Sequence, residues 1–147
     1  RFRRPGRAHE RISLQQAACM RLPPLATPGA SLAVRRAEVD FGPLLAGGPV
    51  SLLESADPDE MLQLALSEEA EAKKVDVYGC TLWPSSFVAA RAMLRLLRPA
   101  DAVTELGCGP GLPSLAALAA GARSVTATDH SPLALALVER AAHDYQP

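Results

Sequence analysis

The amino-acid sequence predicts an α/β fold built on a Rossmann-like parallel sheet, and two observations carry this prediction. First, a short apolar stretch at residues 102–104, expected to be a buried strand, leads into a glycine-rich run that starts at Gly107, and a helical segment follows at 114–120. Second, another strand-like stretch at 124–128 comes after that segment and ends on Asp129. A strand, a helix and a second strand in this order imply parallel pairing through a right-handed crossover.

The composition is that of an ordinary globular protein and excludes several classes. The chain has 147 residues, of which 48% are hydrophobic, and a formal net charge of −1, so one domain with a real core is possible. No apolar run approaches the roughly 18 residues that suggest a membrane span, and the near-neutral charge gives no indication of nucleic-acid binding. The three cysteines, Cys19, Cys80 and Cys108, lack metal-ligand spacing. We therefore expect no metal site and a reducing, cytoplasmic location.

The N-terminal segment, residues 1–30, is rich in arginine and proline and contains a single acidic residue, Glu10. Such a segment is expected to be a disordered basic leader. An arginine-rich, acid-poor leader is also typical of transit peptides, in which case the location would be organellar. A third interpretation is upstream sequence translated in a faulty gene model.

A small β and helical extension is predicted between the leader and the parallel sheet. Alternating apolar residues across 31–54, interrupted by a Gly-Gly-Pro turn at 47–49, predict a β-hairpin. Asp57, Pro58 and Glu60 then form a helix-start signal, with an N-cap acid, a proline at the first helical position and an acid completing a capping box.

Two further helices have clear boundary signals. Pro84 can occupy the first position of a helix that ends shortly before Pro99, with apolar residues recurring at spacings of three and four. Ser131 and Pro132 repeat the cap-then-proline signal for the last helix.

The glycine run indicates which ligand the turn after the first parallel strand could bind. A dinucleotide fingerprint, G-x-G-x-x-G, fits Gly107 and Gly109, but its third glycine position is occupied by Leu112 and the extra glycine stands one residue earlier, at Gly111. Glu105, two residues before the first glycine, would repel a pyrophosphate and suits a ligand that carries positive charge. The pattern therefore disfavours NAD.

Asp129 is the second ligand-binding candidate. A carboxylate at a strand end, roughly 20 residues past the glycines, suits the two hydroxyls of a ribose, and the first inference is a nucleoside-containing cofactor. The alternative role for Asp129 is to cap the last helix, although Ser131 is better placed for that.

The motif E-x-G-x-G-x-G, followed by a strand that ends in aspartate, resembles the seven-β-strand (class I) S-adenosylmethionine-dependent methyltransferases. The Leu-Trp-Pro-Ser element at 82–85, with the helix after it, narrows the resemblance to the protein-lysine methyltransferase-like family, and nicotinamide N-methyltransferase-like relatives share the architecture. The resemblance covers roughly residues 57–142. It implies S-adenosyl-L-methionine as cofactor and a protein lysine side chain as acceptor, or alternatively a small-molecule amine.

The resemblance also implies roles for single residues. Glu105 is expected to bind the amino group of the cofactor. Its alternative role is to cap the amides of its own loop, and both roles could hold together. Asp129 is expected to bind the ribose. Trp83 covers the cofactor or belongs to the core, and His130 borders the adenine or lies on the surface. Cys108 is a small loop residue rather than a nucleophile. The cofactor-binding residues are expected to be Trp83, Glu105, Gly107, Cys108, Gly109, Gly111, Asp129 and His130.

The sequence supplies only the first two strands of a class I methyltransferase sheet. We therefore expect residues 31–147 to be the N-terminal part of a methyltransferase domain, with the core cofactor-binding section at 76–147. In the family, residues after the fourth strand contact the acceptor, so no catalytic residue can be named. The first strand would be an apolar sheet edge, and the isolated chain is expected to be poorly folded and inactive. A truncated, non-catalytic product is a third alternative.

Overall fold

A computed structural model of the chain describes residues 25–27, 30–57, 59, 63, 66, 76 and 78–145. The predicted leader lies almost entirely outside these residues. The elements, in chain order, are β1 (Leu25–Thr27), β2 (Ala30–Leu32), β3 (Val34–Val39), β4 (Val50–Ser55), α1 (Pro84–Leu96), β5 (Ala102–Leu106), α2 (Leu112–Ala119), β6 (Ser124–Thr128) and α3 (Pro132–Ala142), with 3-10 turns at Gly42–Leu44, Tyr78–Cys80 and His143–Tyr145.

The predicted hairpin is confirmed as the antiparallel pair β3–β4, whose register runs from Val34 opposite Ser55 to Val39 opposite Val50. Strands β1 and β2 form a second, shorter antiparallel pair. The helix predicted after Asp57 falls mostly outside the described residues. Its first contact is present, because the Asp59 backbone N–H donates to Asp57 Oδ1 at 2.8 Å, as an N-cap acid requires.

Strands β5 and β6 are parallel and are connected through α2, which confirms the α/β fold class. The described residues form part of a Rossmann-like arrangement, with Ala102 opposite Ser124 and Leu106 opposite Thr128. Helix α2 begins at Leu112, two residues earlier than the sequence pattern suggested. The reason is local: Gly111 takes the left-handed conformation, with φ of 76°, and starts the helix as its N-cap residue.

The hydrophobic core lies where the β3–β4 hairpin packs against α2 and α3. Helix α1 packs against the adjacent side of α2 through Ala90 and Leu94. Each large core side chain stabilises the fold by about 1.5–3 kcal/mol relative to exposure. The largest fully buried apolar side chains are Leu32, Val34, Val39, Val50, Leu52, Leu53, Leu112, Leu115 and Leu137.

Strand β5 is less buried than the sequence suggested, and the expectation of a buried strand was wrong. Ala102, Thr104 and Leu106 are exposed on one face, and the Leu106 side chain is 81% exposed. The physical reason is that burial requires neighbours, and within the described part of the chain β5 pairs with β6 alone.

None of the described helices is long and apolar enough to cross a bilayer.

Candidate functional site

The glycine loop, residues 107–111, lies at the carboxyl ends of β5 and β6, where α/β proteins bind ligands. Two backbone hydrogen bonds shape it. The Cys108 N–H donates to the Thr128 carbonyl at 2.9 Å and so ties the loop to β6, and the Gly111 N–H donates to the Cys108 carbonyl at 2.8 Å. The loop is therefore a fixed turn between strand and helix, as predicted.

The glycines of this loop serve different purposes. Gly109 has a φ of 51°, and a methyl group on it would lie 3.2 Å from the Gly79 carbonyl oxygen. Gly111 is buried, and a methyl group there would lie 2.5 Å from Val138 Cγ2 of α3. Gly111 thus permits close packing of the loop on α3 and does not line the pocket described below, whereas Gly107 and Gly109 do.

Asp129 holds the loop from the neighbouring strand end. Its carboxylate is 4% exposed, accepts the Gly109 N–H at Oδ2 and accepts the Ser131 N–H at Oδ1, both at 2.8 Å. Helix α3 is capped by Ser131 instead, whose hydroxyl accepts the Ala134 N–H at 3.3 Å. A carboxylate has about four acceptor sites, so these two bonds leave Asp129 capacity for a further donor.

Glu105 lies behind the loop rather than in the pocket lining. Its Oε2 atom accepts both the Ser114 N–H, at 3.0 Å, and the Ser114 hydroxyl, at 2.5 Å. Burial raises the pKa of Glu105 above its ordinary value, and the hydrogen bonds from Ser114 partly offset that rise. The carboxylate therefore caps backbone groups at the start of α2, which is the alternative role that the sequence left open, and among the described residues its Oε1 atom accepts no hydrogen bond.

An aromatic wall faces the loop across the pocket. Trp83 precedes α1, lines the pocket and is 48% exposed, so its indole is not a core residue. The indole N–H donates to the Tyr78 carbonyl at 3.0 Å. Glu54 of β4, a buried acid that the sequence analysis missed, accepts the Leu82 N–H at 3.2 Å and pairs with Arg35 at 2.8 Å. The hairpin thus fixes the segment that carries Trp83.

His130 connects the two sides of the pocket. Its Nε2 atom lies 3.2 Å from Asp76 Oδ2, and its Nδ1 atom lies 3.4 Å from Asp129 Oδ1, although the imidazole is 73% exposed. Sequence reasoning missed Asp76. The available signal was an aspartate two residues before a turn, since Asp76 Oδ1 accepts the Tyr78 N–H at 2.9 Å and starts the 3-10 turn.

The pocket between the loop and the aromatic wall has a volume of about 290 Å³, close to the lower end of the range for small-molecule sites. Six of the eight predicted residues line it, and Glu105 and Gly111 do not. Among the described residues, the lining contains two carboxylates and no lysine or arginine. The lining residues are Asp76, Tyr78, Gly79, Trp83, Ser85, Ser86, Gly107, Cys108, Gly109, Pro110, Asp129 and His130.

The thiols of Cys80 and Cys108, the two cysteines among the described residues, are unreactive at neutral pH. Burial raises the pKa of Cys80 to about 12 and that of Cys108 to about 11, with Asp129 adding to both shifts. Both side chains are buried free thiols and remain protonated at neutral pH, which supports the view that Cys108 is not a nucleophile. Within the described ranges, no group of three or more His, Cys, Asp and Glu side chains could hold a metal ion.

The fold and the loop together define an α/β protein of the Rossmann-like class. Comparison with protein families adds that residues 84–144 match the model of PrmA, ribosomal protein L11 methyltransferase. The matched segment runs from the start of α1 to the end of α3 and contains the whole glycine loop and Asp129.

Two curated relatives have the same description. The ribosomal protein L11 methyltransferase of Bacillus cereus (strain G9842) is 36% identical over 62 residues, which are 42% of this chain and 20% of that protein. The enzyme of the same name from Geobacillus kaustophilus (strain HTA426) is 36% identical over 58 residues, 40% of this chain and 19% of that protein. The matched region spans about a fifth of the length of these relatives. No solved structure matches the chain significantly. The similarity is to methyltransferases, the class that the sequence motifs predict.

Proposed function

We propose that this chain carries the cofactor-binding section of a methyltransferase that uses S-adenosyl-L-methionine and methylates a protein lysine side chain. The observation that carries the proposal is the juxtaposition of the glycine loop, the acidic strand end at Asp129 and a pocket lined by carboxylates, within a segment similar to methyltransferases.

The charge of the pocket favours this cofactor over a dinucleotide. Asp76 and Asp129 line the pocket and Glu105 lies behind the loop, while no lysine or arginine of the described residues lines the pocket. A pyrophosphate placed here would face these carboxylates without a cationic partner among the described residues, which is unfavourable at short range. S-adenosylmethionine carries a sulfonium and an ammonium and no phosphate, so the residues present fit it.

The proposal assigns roles to individual residues, and the geometry supports them. Gly107 and Gly109 line the pocket and bring backbone close to the ligand, and Asp129 is assigned to the ribose hydroxyls. Glu105 does not line the pocket, and it accepts the Ser114 N–H and hydroxyl at the start of α2. When bound, the cofactor supplies an electrophilic methyl group on sulfur. The chain contributes position and orientation, the main requirement for such a displacement.

The acceptor and the organisation of the chain complete the proposal. The names of the two relatives state that they act on a ribosomal protein, which supports a protein acceptor rather than a small-molecule amine. Residues 31–147 would form part of the methyltransferase domain, with the cofactor section at 76–147. The buried free thiols of Cys80 and Cys108 support a reducing compartment such as the cytoplasm.

Cofactor binding by the 147-residue chain tests the proposal, once a cooperative melting curve has shown that the chain is folded. Trp83 is the single tryptophan in the sequence and lines the pocket, so its fluorescence should change on addition of S-adenosylmethionine or S-adenosylhomocysteine but not of NAD. Asp129→Ala should weaken S-adenosylhomocysteine binding by about 1–3 kcal/mol, the scale of a hydrogen bond to a charged group.

The control for the loss of one negative charge is Glu139→Ala, which replaces an exposed acid on α3 and should leave the affinity unchanged. Tighter binding of NAD than of S-adenosylhomocysteine would overturn the cofactor assignment, and an unchanged affinity in Asp129→Ala would remove the ribose role.

A further inference from the structure

We propose that Tyr78, Trp83 and Asp76 form a subsite for an onium cation, meaning a sulfonium or a methylated or free alkylammonium group. The subsite deepens the proposed function, because both the methyl donor and an amine acceptor carry such a cation. The identity of its natural ligand rests on that proposed function. Its cation preference does not depend on methyl transfer and can be measured alone.

The first supporting observation is an exposed aromatic pair. Tyr78 is 62% exposed and Trp83 is 48% exposed, and both line the same pocket. Their ring centroids are 6.3 Å apart and the ring planes are inclined at 45°. Rings at this separation leave room for one cation within the roughly 6 Å of each centroid that cation–π attraction requires.

The second observation is that hydrogen bonds fix the Trp83 indole and the backbone of Tyr78. The Trp83 indole N–H donates to the Tyr78 carbonyl at 3.0 Å, and the Tyr78 N–H donates to Asp76 Oδ1 at 2.9 Å. The three residues therefore form one hydrogen-bonded unit on the 3-10 turn that precedes α1. A site organised before its ligand arrives loses less entropy on binding.

The third observation is the charge around the pair. Asp76 and Asp129 supply two carboxylates, and among the described residues that line the pocket there is no lysine or arginine. The His130 imidazole lies between both carboxylates, 3.2 Å from Asp76 and 3.4 Å from Asp129. Aromatic faces next to an acid define a cation site rather than an apolar pocket.

Packing does not explain these exposed rings. The other tyrosine of the chain, Tyr145, is half-buried and its hydroxyl is bound twice, donating to the Ser51 carbonyl at 2.9 Å and accepting the Ser51 N–H. Tyr78 has its ring in the pocket instead, and its described hydrogen bonds are made by its backbone.

The experiment compares choline with its neutral carbon isostere, 3,3-dimethylbutan-1-ol, using Trp83 fluorescence and calorimetry on the 147-residue chain. Choline should bind at least several times more tightly. Tyr78→Leu should weaken choline binding by about twofold to thirtyfold, the range of a cation–π contact, while Tyr78→Phe, which keeps the ring, should retain it. Because Tyr78 is mostly exposed, an unchanged melting curve will show that both variants fold.

Equal binding of the two isosteres, or equal affinities for choline in wild type and Tyr78→Leu, would overturn the subsite. This readout needs neither adenosine nor methyl transfer. If the chain selects choline but does not bind S-adenosylhomocysteine, the subsite is retained and the proposed function fails. If it binds S-adenosylhomocysteine but does not select choline, the proposed function is retained and the subsite fails.

A second arm identifies which cation the subsite serves. If Tyr78→Leu lowers the affinity for S-adenosylmethionine relative to S-adenosylhomocysteine, which lacks the sulfonium charge, the subsite holds the methyl donor. If that ratio is unchanged and choline still binds the chain loaded with S-adenosylhomocysteine, the subsite holds the acceptor ammonium. A chain that shows neither behaviour contradicts both assignments.

Discussion

Gly111 is required both for its backbone conformation and for its close contact with Val138, and comparison with Gly121 separates the two effects. Its φ of 76° is strained for any residue with a side chain, and a methyl group at this position would lie 2.5 Å from Val138 Cγ2. Gly121, after α2, has a similar φ of 79° but open space around it. Gly121→Ala should therefore lower the free energy of unfolding by about 1–2 kcal/mol through strain alone. Gly111→Ala should cost about 1–3 kcal/mol more, the usual penalty of overpacking.

Urea denaturation of both variants provides the comparison. A double-mutant cycle sharpens it, because in a Val138→Ala background the extra cost of Gly111→Ala should largely disappear. Equal losses for Gly111→Ala and Gly121→Ala would show that the contact with Val138 contributes nothing.

At the scale of the residue, the sequence could identify the glycines of the loop but not which of them line the pocket and which pack against α3. The spacing of Gly107, Gly109 and Gly111 marks a ligand loop, and two of them line the pocket as expected. The third faces Val138, a residue 27 positions later in the chain, and no local pattern encodes that contact. For Asp76 the local pattern indicated only the turn at Tyr78, because its contact with His130, on a different element, has no local signal.

The partly buried Glu105 carboxylate accepts two hydrogen bonds from Ser114 in the first turn of α2. This contact makes the stability of the fold depend on pH. Burial raises the pKa of Glu105 from its ordinary value of 4.5. A raised folded-state pKa means that the folded protein binds this proton more tightly than the unfolded chain does. The stabilisation associated with protonated Glu105 is complete below the unfolded pKa and is lost as the pH rises through the folded pKa. Wild type should thus lose stability relative to Glu105→Gln as the pH rises from acidic to neutral.

Denaturant unfolding of both proteins across this range measures the difference. Ser114→Ala offers the matched test, because it removes the side-chain hydrogen bond that lowers the Glu105 pKa. The pH window should consequently move upward in that variant. A stability difference between wild type and Glu105→Gln that is constant with pH, or that grows in favour of wild type, would contradict the assignment.

At the scale of the element, local sequence signals predict where helices begin and end, but they do not predict how deeply a strand is buried. Pro84 and Pro132 occupy the first turns of α1 and α3 as the sequence predicted, and Ser131 caps α3 through its own hydroxyl. These signals act within four residues of the position they fix. The burial of β5 was wrong because it depends on a neighbouring strand and a covering layer, which a short apolar run cannot specify.

At the scale of the molecule, the described core is displaced to one side of the parallel pair. The β3–β4 hairpin closes over α2 and α3, and two contacts reinforce this closure across a long stretch of sequence. Tyr145 binds both backbone groups of Ser51, and Arg36 pairs with Asp144. The sequence predicted the hairpin and the helices separately, but it gave no information on this docking. The opposite face of β5 remains exposed, and the poor folding expected of the isolated chain stays a prediction.

The exposed strand β5 leads to the last prediction, which concerns self-association. Within the described residues its outer edge has no strand partner, and Leu106 presents an 81% exposed apolar side chain on the face next to that edge. Unpaired backbone groups beside an apolar side chain are a template for pairing with a second chain. Leu106→Lys should therefore reduce concentration-dependent association in sedimentation velocity without lowering the melting temperature. Leu96→Lys is the matched control, since Leu96 is 77% exposed but lies at the end of helix α1. An equal reduction by both substitutions would attribute association to general surface hydrophobicity and refute the role of the β5 edge.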